Sequence, residues 1–297
     1  MKLFKKDPSF FKDLFYCLSK IFTMKRKIVV LNTAKELFEK VSLDYQNLYV
    51  EYEDNIEFEQ YFELSPEDYL KFAKQDLKSK DNRGHINALS NAKRAIDCLV
   101  ENVLKNFEIN PKKINKVALD FCEEVLGEEA KEINPQSLRL FTALGLSPSL
   151  LVTETRNLRN KVEHEFSDPN LSDVKRSFEV AELLINNLKA KELYSCSIDL
   201  SDIHKNGNTQ YGEITGIRFA SRVWAATKTN GRFELSFYGI KENVYIYVLN
   251  QEDKIFYYYL RAMFMARFDL DDFDLCIKKI IKELNPDLNI DSLKIKF

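Results

Sequence analysis

Between residues 65 and 190 the apolar positions recur every three or four residues. Ile86, Leu89, Ile96, Leu99, Val100, Val103, Leu104 and Phe107 form one such stripe, with Lys93 its one charged member. That spacing predicts one face of a long helix, and the methylenes of Lys93 can lie along it while its amine reaches water. Just upstream, "SPEDYLKFAKQDL" carries a helix start. Ser65 can cap, Pro66 suits the first helical position, and Glu67 and Asp68 suit the positive end of the helix dipole. "INKVALDFCEEVL" (114–126) predicts another helix. "NPQSLRLFTALGL" (134–146) predicts the next, opened by an asparagine cap and a proline and stopped near Gly145. "SPSLLVTETRNLRNKVEHEF" opens the same way at Ser147. In the helix that follows, Val174, Phe178, Ala181, Leu184, Ile185 and Leu188 share a side. Helices joined by short connections predict a bundle.

After about residue 193 the period changes to two. "ELYSCSIDL", "YGEITGIRFASRVWAATK", "GRFELSFYG" and "NVYIYVLN" read as strands, punctuated by Gly207, Gly212, Gly231 and Gly239, with "TNG" at 229–231 suited to a hairpin turn. "KIFYYYLRAMFMARF" is apolar throughout and fits no single period, whereas "LDDFDLCIKKIIKELN" predicts a terminal helix. The fold class expected is α+β: an all-helical bundle, then a small antiparallel sheet carrying one or two helices. The domains expected are a helical extension over 1–64, the bundle over 65–192, and a strand-rich domain over 193–297.

The extension is the least regular part. Phe11, Leu14, Phe15, Leu18 and Phe22 predict an amphipathic helix over 9–22 that docks on the rest of the protein, and Ala34, Leu37, Phe38 and Val41 a second helix. Residues 44–63, rich in Tyr, Glu and Asp, read as irregular or partly helical. Lys12 and Lys20 interrupt the apolar run near the N-terminus, so no membrane span is expected there.

Charge changes the picture little. The chain has 44 basic and 46 acidic side chains in 297 residues, so no global field draws nucleic acid, though a local basic groove is compatible with it. The five cysteines (Cys17, Cys98, Cys122, Cys196, Cys276) are scattered without a CxxC pair, which suggests reduced thiols and a cytoplasmic protein. His85, His164 and His204 lie far apart, no local metal motif is seen, and no cofactor is expected. There is no phosphate-binding glycine loop. His85 reads as a helix-start histidine and His204 as part of a polar loop. Lys93 and Arg94 read as a solvated face, and the aromatic run "VYIYVLNQEDKIFYYYL" as core.

One stretch carries candidate chemistry: "TETRNLRNKVEHEF", 153–166. On a helix turning about 100° per residue, Leu151, Leu158 and Val162 fall together towards a core. Arg156, Arg159, Asn160, Glu163 and His164 spread over the opposite half, with Asn160 and His164 neighbours at a spacing of four. Histidine moves protons near neutral pH, and arginine offers a fixed charged fork for phosphate. Asparagine can hold a ribose hydroxyl or orient the imidazole. These groups suit cleavage of an RNA phosphodiester by its own 2'-hydroxyl, which needs no metal because the nucleophile is already tethered. One helix supplies only one proton-transfer group, and a two-fold partner helix would supply the second.

"LRNKVEHEF" resembles the signature of the HEPN superfamily, the higher-eukaryote and prokaryote nucleotide-binding helical domains. Arg159, Asn160 and His164 match its arginine, polar residue and histidine. "RGHINALSNAKRAIDCLVENVL" (83–104) is similar to the first core helix of such domains, the motif helix to the third, and 173–189 to the fourth; the likeness covers roughly 65–190. It implies a bundle that dimerises through its motif helices. It also implies metal-independent cleavage of single-stranded RNA to 2',3'-cyclic phosphate ends, in a toxin, antiviral defence, abortive-infection or stress-response setting. The roles it implies are phosphate binding for Arg159, proton transfer for His164 and positioning for Asn160. Glu154 fills the family's upstream acidic position, and Arg156 and Glu163 support the site. Lys161 and Phe166 would touch substrate, Phe166 standing where many relatives have a tyrosine. The partners expected are RNA, a second copy of the chain and an antitoxin or regulatory protein, and the strand-rich domain would sense, gate or assemble. The alternative is a non-catalytic helical interaction module or a nucleotide-binding regulator.

Overall fold

A computed structural model of the chain describes residues 27–40, 43–53, 58–79, 81–148, 157–158, 162, 167–192, 197–201, 216–221, 233–238 and 243–297. It divides into two compact units. One combines Met1–Asp54, Cys196–Asn250 and Lys278–Phe297; the other combines Asn55–Ser195 and Gln251–Ile277. The fold is α+β.

The first unit is built on a seven-stranded sheet: β1 (Lys27–Val30), β2 (Leu48–Glu53), β3 (Ser197–Ser201), β4 (Gly216–Ser221), β5 (Phe233–Tyr238), β6 (Asn243–Val248) and β7 (Ile295–Lys296), in the order β1-β6-β5-β4-β3-β2-β7. The four strands expected after residue 193 are present, and β3 to β6 pair antiparallel in sequence order. Ser221 pairs with Phe233 across β4 and β5, while the "TNG" turn between them and the four punctuating glycines lie outside the described residues.

The sheet differs from the one expected in being mixed and larger. β1 adds to β6 in parallel, β2 to β3 antiparallel, and the two-residue β7 to β2 in parallel. Two of its strands therefore come from residues 27–53, where the sequence predicts a helical extension. "LYVEYE" does alternate, with Leu48 and Val50 buried and Tyr49 and Glu51 half-buried. Six residues of alternation become a strand only when a distant partner is there to satisfy their backbone. The short helix α1 (Ala34–Lys40) follows the predicted pattern and buries Leu37 and Phe38. Phe38 stacks on Tyr45, centroids 4.8 Å apart. The helix expected over 9–22 lies outside the described residues.

The second unit is helical. α2 (Pro66–Asp76) starts as its sequence signals: the Ser65 hydroxyl accepts from the Asp68 amide at 3.1 Å, and the Asp68 carboxylate accepts from the Ser65 amide at 2.9 Å. α3 (Asn82–Asn106) buries Leu89, Ile96, Leu99, Val100, Val103 and Leu104, and Phe107 just beyond it, while Lys93 ion-pairs with Asp97 one turn on. α4 (Lys116–Leu126) is capped by Asn115, whose Oδ1 accepts from the Ala118 amide at 2.8 Å. α5 (Gln136–Ala143) departs from expectation at its start. Pro135 holds the cap position, and Asn134 stands one residue too early to cap. α5 ends where predicted, with Gly145 at φ 77° just beyond it. α6 (Leu171–Glu192) buries all six of its predicted core residues. α2, α3 and α6 pack on one another.

The aromatic run is also helical. α7 (Lys254–Met265) is buried almost all round, Lys254 and Arg261 being the residues that keep some exposure. A helix buried on every side has no polar stripe, which is why no period could be read in it. Phe121 of α4 takes Tyr257 stacked at 5.6 Å and Tyr258 edge-on at 5.2 Å, and Phe264 meets Phe107 edge-on at 5.9 Å. α8 (Leu270–Leu284) is the expected terminal helix. No described helix is long and apolar enough to cross a membrane.

Candidate functional site

The motif segment lies between well-anchored ends. Upstream, Gly145 lets the chain turn off α5 directly beneath Met265. A Cβ there would displace the methyl at the flexible end of Met265, but it is the positive φ that calls for glycine. The Thr142 and Ser147 hydroxyls, both buried, hydrogen-bond at 3.0 Å. Arg261 donates to the Ala143 carbonyl at the open end of α5 and forks onto Asp272, Nε to Oδ1 at 3.2 Å and Nη2 to Oδ2 at 2.8 Å.

Downstream, Asn82 Nδ2 donates to Asp168 at 2.8 Å and so ties the departing chain to the first turn of α3. Pro169 is buried, and Asn170 caps α6 by accepting from the Asp173 amide at 2.9 Å. The first turn of α3 sits close to the end of α2 because residue 84 is glycine; a Cβ there would strike the Ser79 side chain and approach the Asp76 carbonyl to 2.8 Å. Asp81 caps that turn, and hydrogen bonds from the Ser79 hydroxyl and the Gly84 amide hold its carboxyl below the usual carboxylate range.

Three residues of the motif segment are described. Asn157, Leu158 and Val162 are helical; Asn157 is exposed, and Leu158 and Val162 are half-buried. Leu158 and Val162 pack with Leu77 against a buried cluster of Ala88 and Leu89 from α3 and Val174 from α6. This is the apolar edge expected for them. Leu151 and all eight candidate site residues, Glu154, Arg156, Arg159, Asn160, Lys161, Glu163, His164 and Phe166, lie outside the described residues. His85 is half-buried in the first turn of α3, its amide bonded to the Asp81 carbonyl. His204 lies outside the described residues. Cys98, Cys122 and Cys276 are free thiols. Among the described residues no group of three or more His, Cys, Asp or Glu side chains is placed to hold a metal ion.

The sequence reading missed two buried asparagines on α3. Asn102 and Asn106 stand one turn apart amid Leu99, Val103 and Leu104 and clasp residues 59–61. Asn106 Oδ1 accepts from the Glu59 amide at 2.8 Å and Asn102 Oδ1 from the Tyr61 amide at 2.9 Å. Both Nδ2 groups donate to the Glu59 carbonyl at 3.0 Å. The signal was present: polar amides one turn apart on an apolar stripe must find partners.

Compared with models of protein families, with curated proteins and with solved structures, the chain has no match.

Proposed function

We propose that the chain is a metal-independent endoribonuclease of HEPN type that works as a homodimer on single-stranded RNA. The observation that carries the reading is the seating of Leu158 and Val162 on Ala88, Leu89 and Val174. It supports a helix that spends its apolar edge on the bundle, between helices the resemblance makes the first and fourth of the core. In this reading Arg159, Asn160 and His164 occupy the opposite edge and meet their two-fold counterparts.

The chemistry follows from those groups. One imidazole takes the proton of the ribose 2'-hydroxyl as its oxygen attacks phosphorus. The partner imidazole protonates the leaving 5'-oxygen, giving a 2',3'-cyclic phosphate and a 5'-hydroxyl. Arg159 holds the phosphate as charge builds on its oxygens. Asn160 orients the ribose or the ring, with Glu154, Arg156 and Glu163 around it. Lys161 and Phe166 lie against the RNA, where a phenyl ring can stack but cannot donate a hydrogen bond.

The test is cleavage of a labelled single-stranded RNA in excess chelator. Wild-type protein should cut and leave cyclic phosphate ends. His164→Ala should lower the rate by about a hundredfold or more, and Arg159→Ala should do the same, with both variants retaining the wild-type mass in solution. Undiminished cutting by His164→Ala would sink the proposal. A protein that binds RNA or nucleotide without turnover would be the regulatory module instead.

A further inference from the structure

The helical unit carries an open cleft of about 490 Å³ between the clasped strap at 59–64 and helices α2 and α3. Phe62, Leu64 and Tyr69 form apolar walls, Glu63, Asp97 and Glu101 are its acidic lining, and Cys98 lies among them. Among the described residues Arg94 is the basic group that lines it, and Lys93, just outside, is paired with Asp97. The Asn102 and Asn106 clasp fixes the strap, so the cleft is formed before anything binds.

The apolar surface continues beyond the cleft. Tyr61 is 45% exposed, Leu64 42% and Phe72 37%, and Phe72 stands edge-on to Tyr69 at 6.2 Å. That is more than a small cation would cover, and it suits a polypeptide. The local field is negative. The Cys98 thiol is pushed up to about 11, by burial first and then by Glu101, Glu67, Asp68 and Asp97. The Tyr61 hydroxyl is raised too, by burial and then by Glu59 and Glu108. The ring of Phe62 already holds a cation, with Lys105 Nζ 4.1 Å from its centroid.

We propose that this cleft docks a basic, leucine-bearing segment of a partner protein, placing an arginine or lysine beside Glu63 and Glu101 with its methylenes on Phe62, Leu64 and Tyr69. This does not rest on the ribonuclease reading.

Two fluorescein-labelled octapeptides with the same leucine pattern test it, one carrying arginine and one glutamate at the charged positions, with oligouridine RNA as competitor. Anisotropy on the full chain should show saturable binding of the arginine peptide, weakened by added salt and not displaced by the RNA. Glu101→Lys and the surface change Leu64→Ser should each weaken it by about tenfold, with the melting temperature of Leu64→Ser unchanged. The proposal is overturned if the arginine peptide does not saturate below millimolar concentration, if the glutamate peptide binds as well, if both variants bind as wild type, or if RNA competes.

Discussion

At the scale of single residues, conformation and hydrogen-bonding capacity decide more than hydrophobicity. Gly145 has a positive φ that a Cβ disfavours, so Gly145→Ala should lower stability by about 1–2 kcal/mol, read from the urea midpoint. Asn106→Ala strips the Glu59 amide of its acceptor and should cost a similar amount, about 1–3 kcal/mol. The same variant should speed hydrogen exchange at residues 59–61. The buried thiols give a pH signature. Burial pushes Cys122 and Cys276 up to about 12, so the folded chain keeps protons that the unfolded chain releases. Stability should therefore be insensitive to these groups below the ordinary thiol value of about 8.5 and fall as pH rises from there towards 12. Denaturant melts between pH 8 and 11 should show that slope, and Cys122→Ala with Cys276→Ala should reduce it, leaving the smaller part from Cys98.

At the scale of elements, single side-chain bonds fix where helices begin. Ser65, Asp81, Asn115 and Asn170 each cap a helix with a side-chain bond, and Ser65→Ala should cost about 1 kcal/mol in thermal melts. Asn134 shows how such a signal slips: the proline beside it is the cap residue, and the helix starts one position later. α7 shows where periodicity fails, because Tyr257, Tyr258 and Tyr259 point in three directions and all are buried. The motif segment lies between these cases. Its apolar edge was legible from Leu158 and Val162, and the structure places both on the bundle. What its polar edge meets depends on chain pairing, which spacing does not encode.

At the scale of the whole molecule, neither unit is a continuous stretch. The helical unit takes α7 from beyond the strands, and the sheet takes strands from both ends of the chain. A fragment holding only 65–192 would lack Tyr257, Tyr258 and Phe264 against Phe121 and Phe107. It should show weak near-ultraviolet dichroism and bind a hydrophobic dye, whereas the same fragment extended to 55–195 and joined to 251–277 should melt cooperatively. A fragment 65–192 that melts as sharply as the joined version would count against this division.

The sequence by itself determined the helices from α2 to α6, the Ser65 cap of α2, the buried faces of α3 and α6, and four of the strands. Each of these is decided within a few residues, by backbone groups needing local partners and by a stripe needing burial. Only the tertiary structure decided that "LYVEYE" is a strand, that the sheet is mixed, that the aromatic run is a core helix and that Asn102 and Asn106 clasp residues 59–61. Those outcomes depend on groups that lie far apart along the chain, and an unpaired strand or a polar amide in an apolar stripe does not say which distant group will satisfy it.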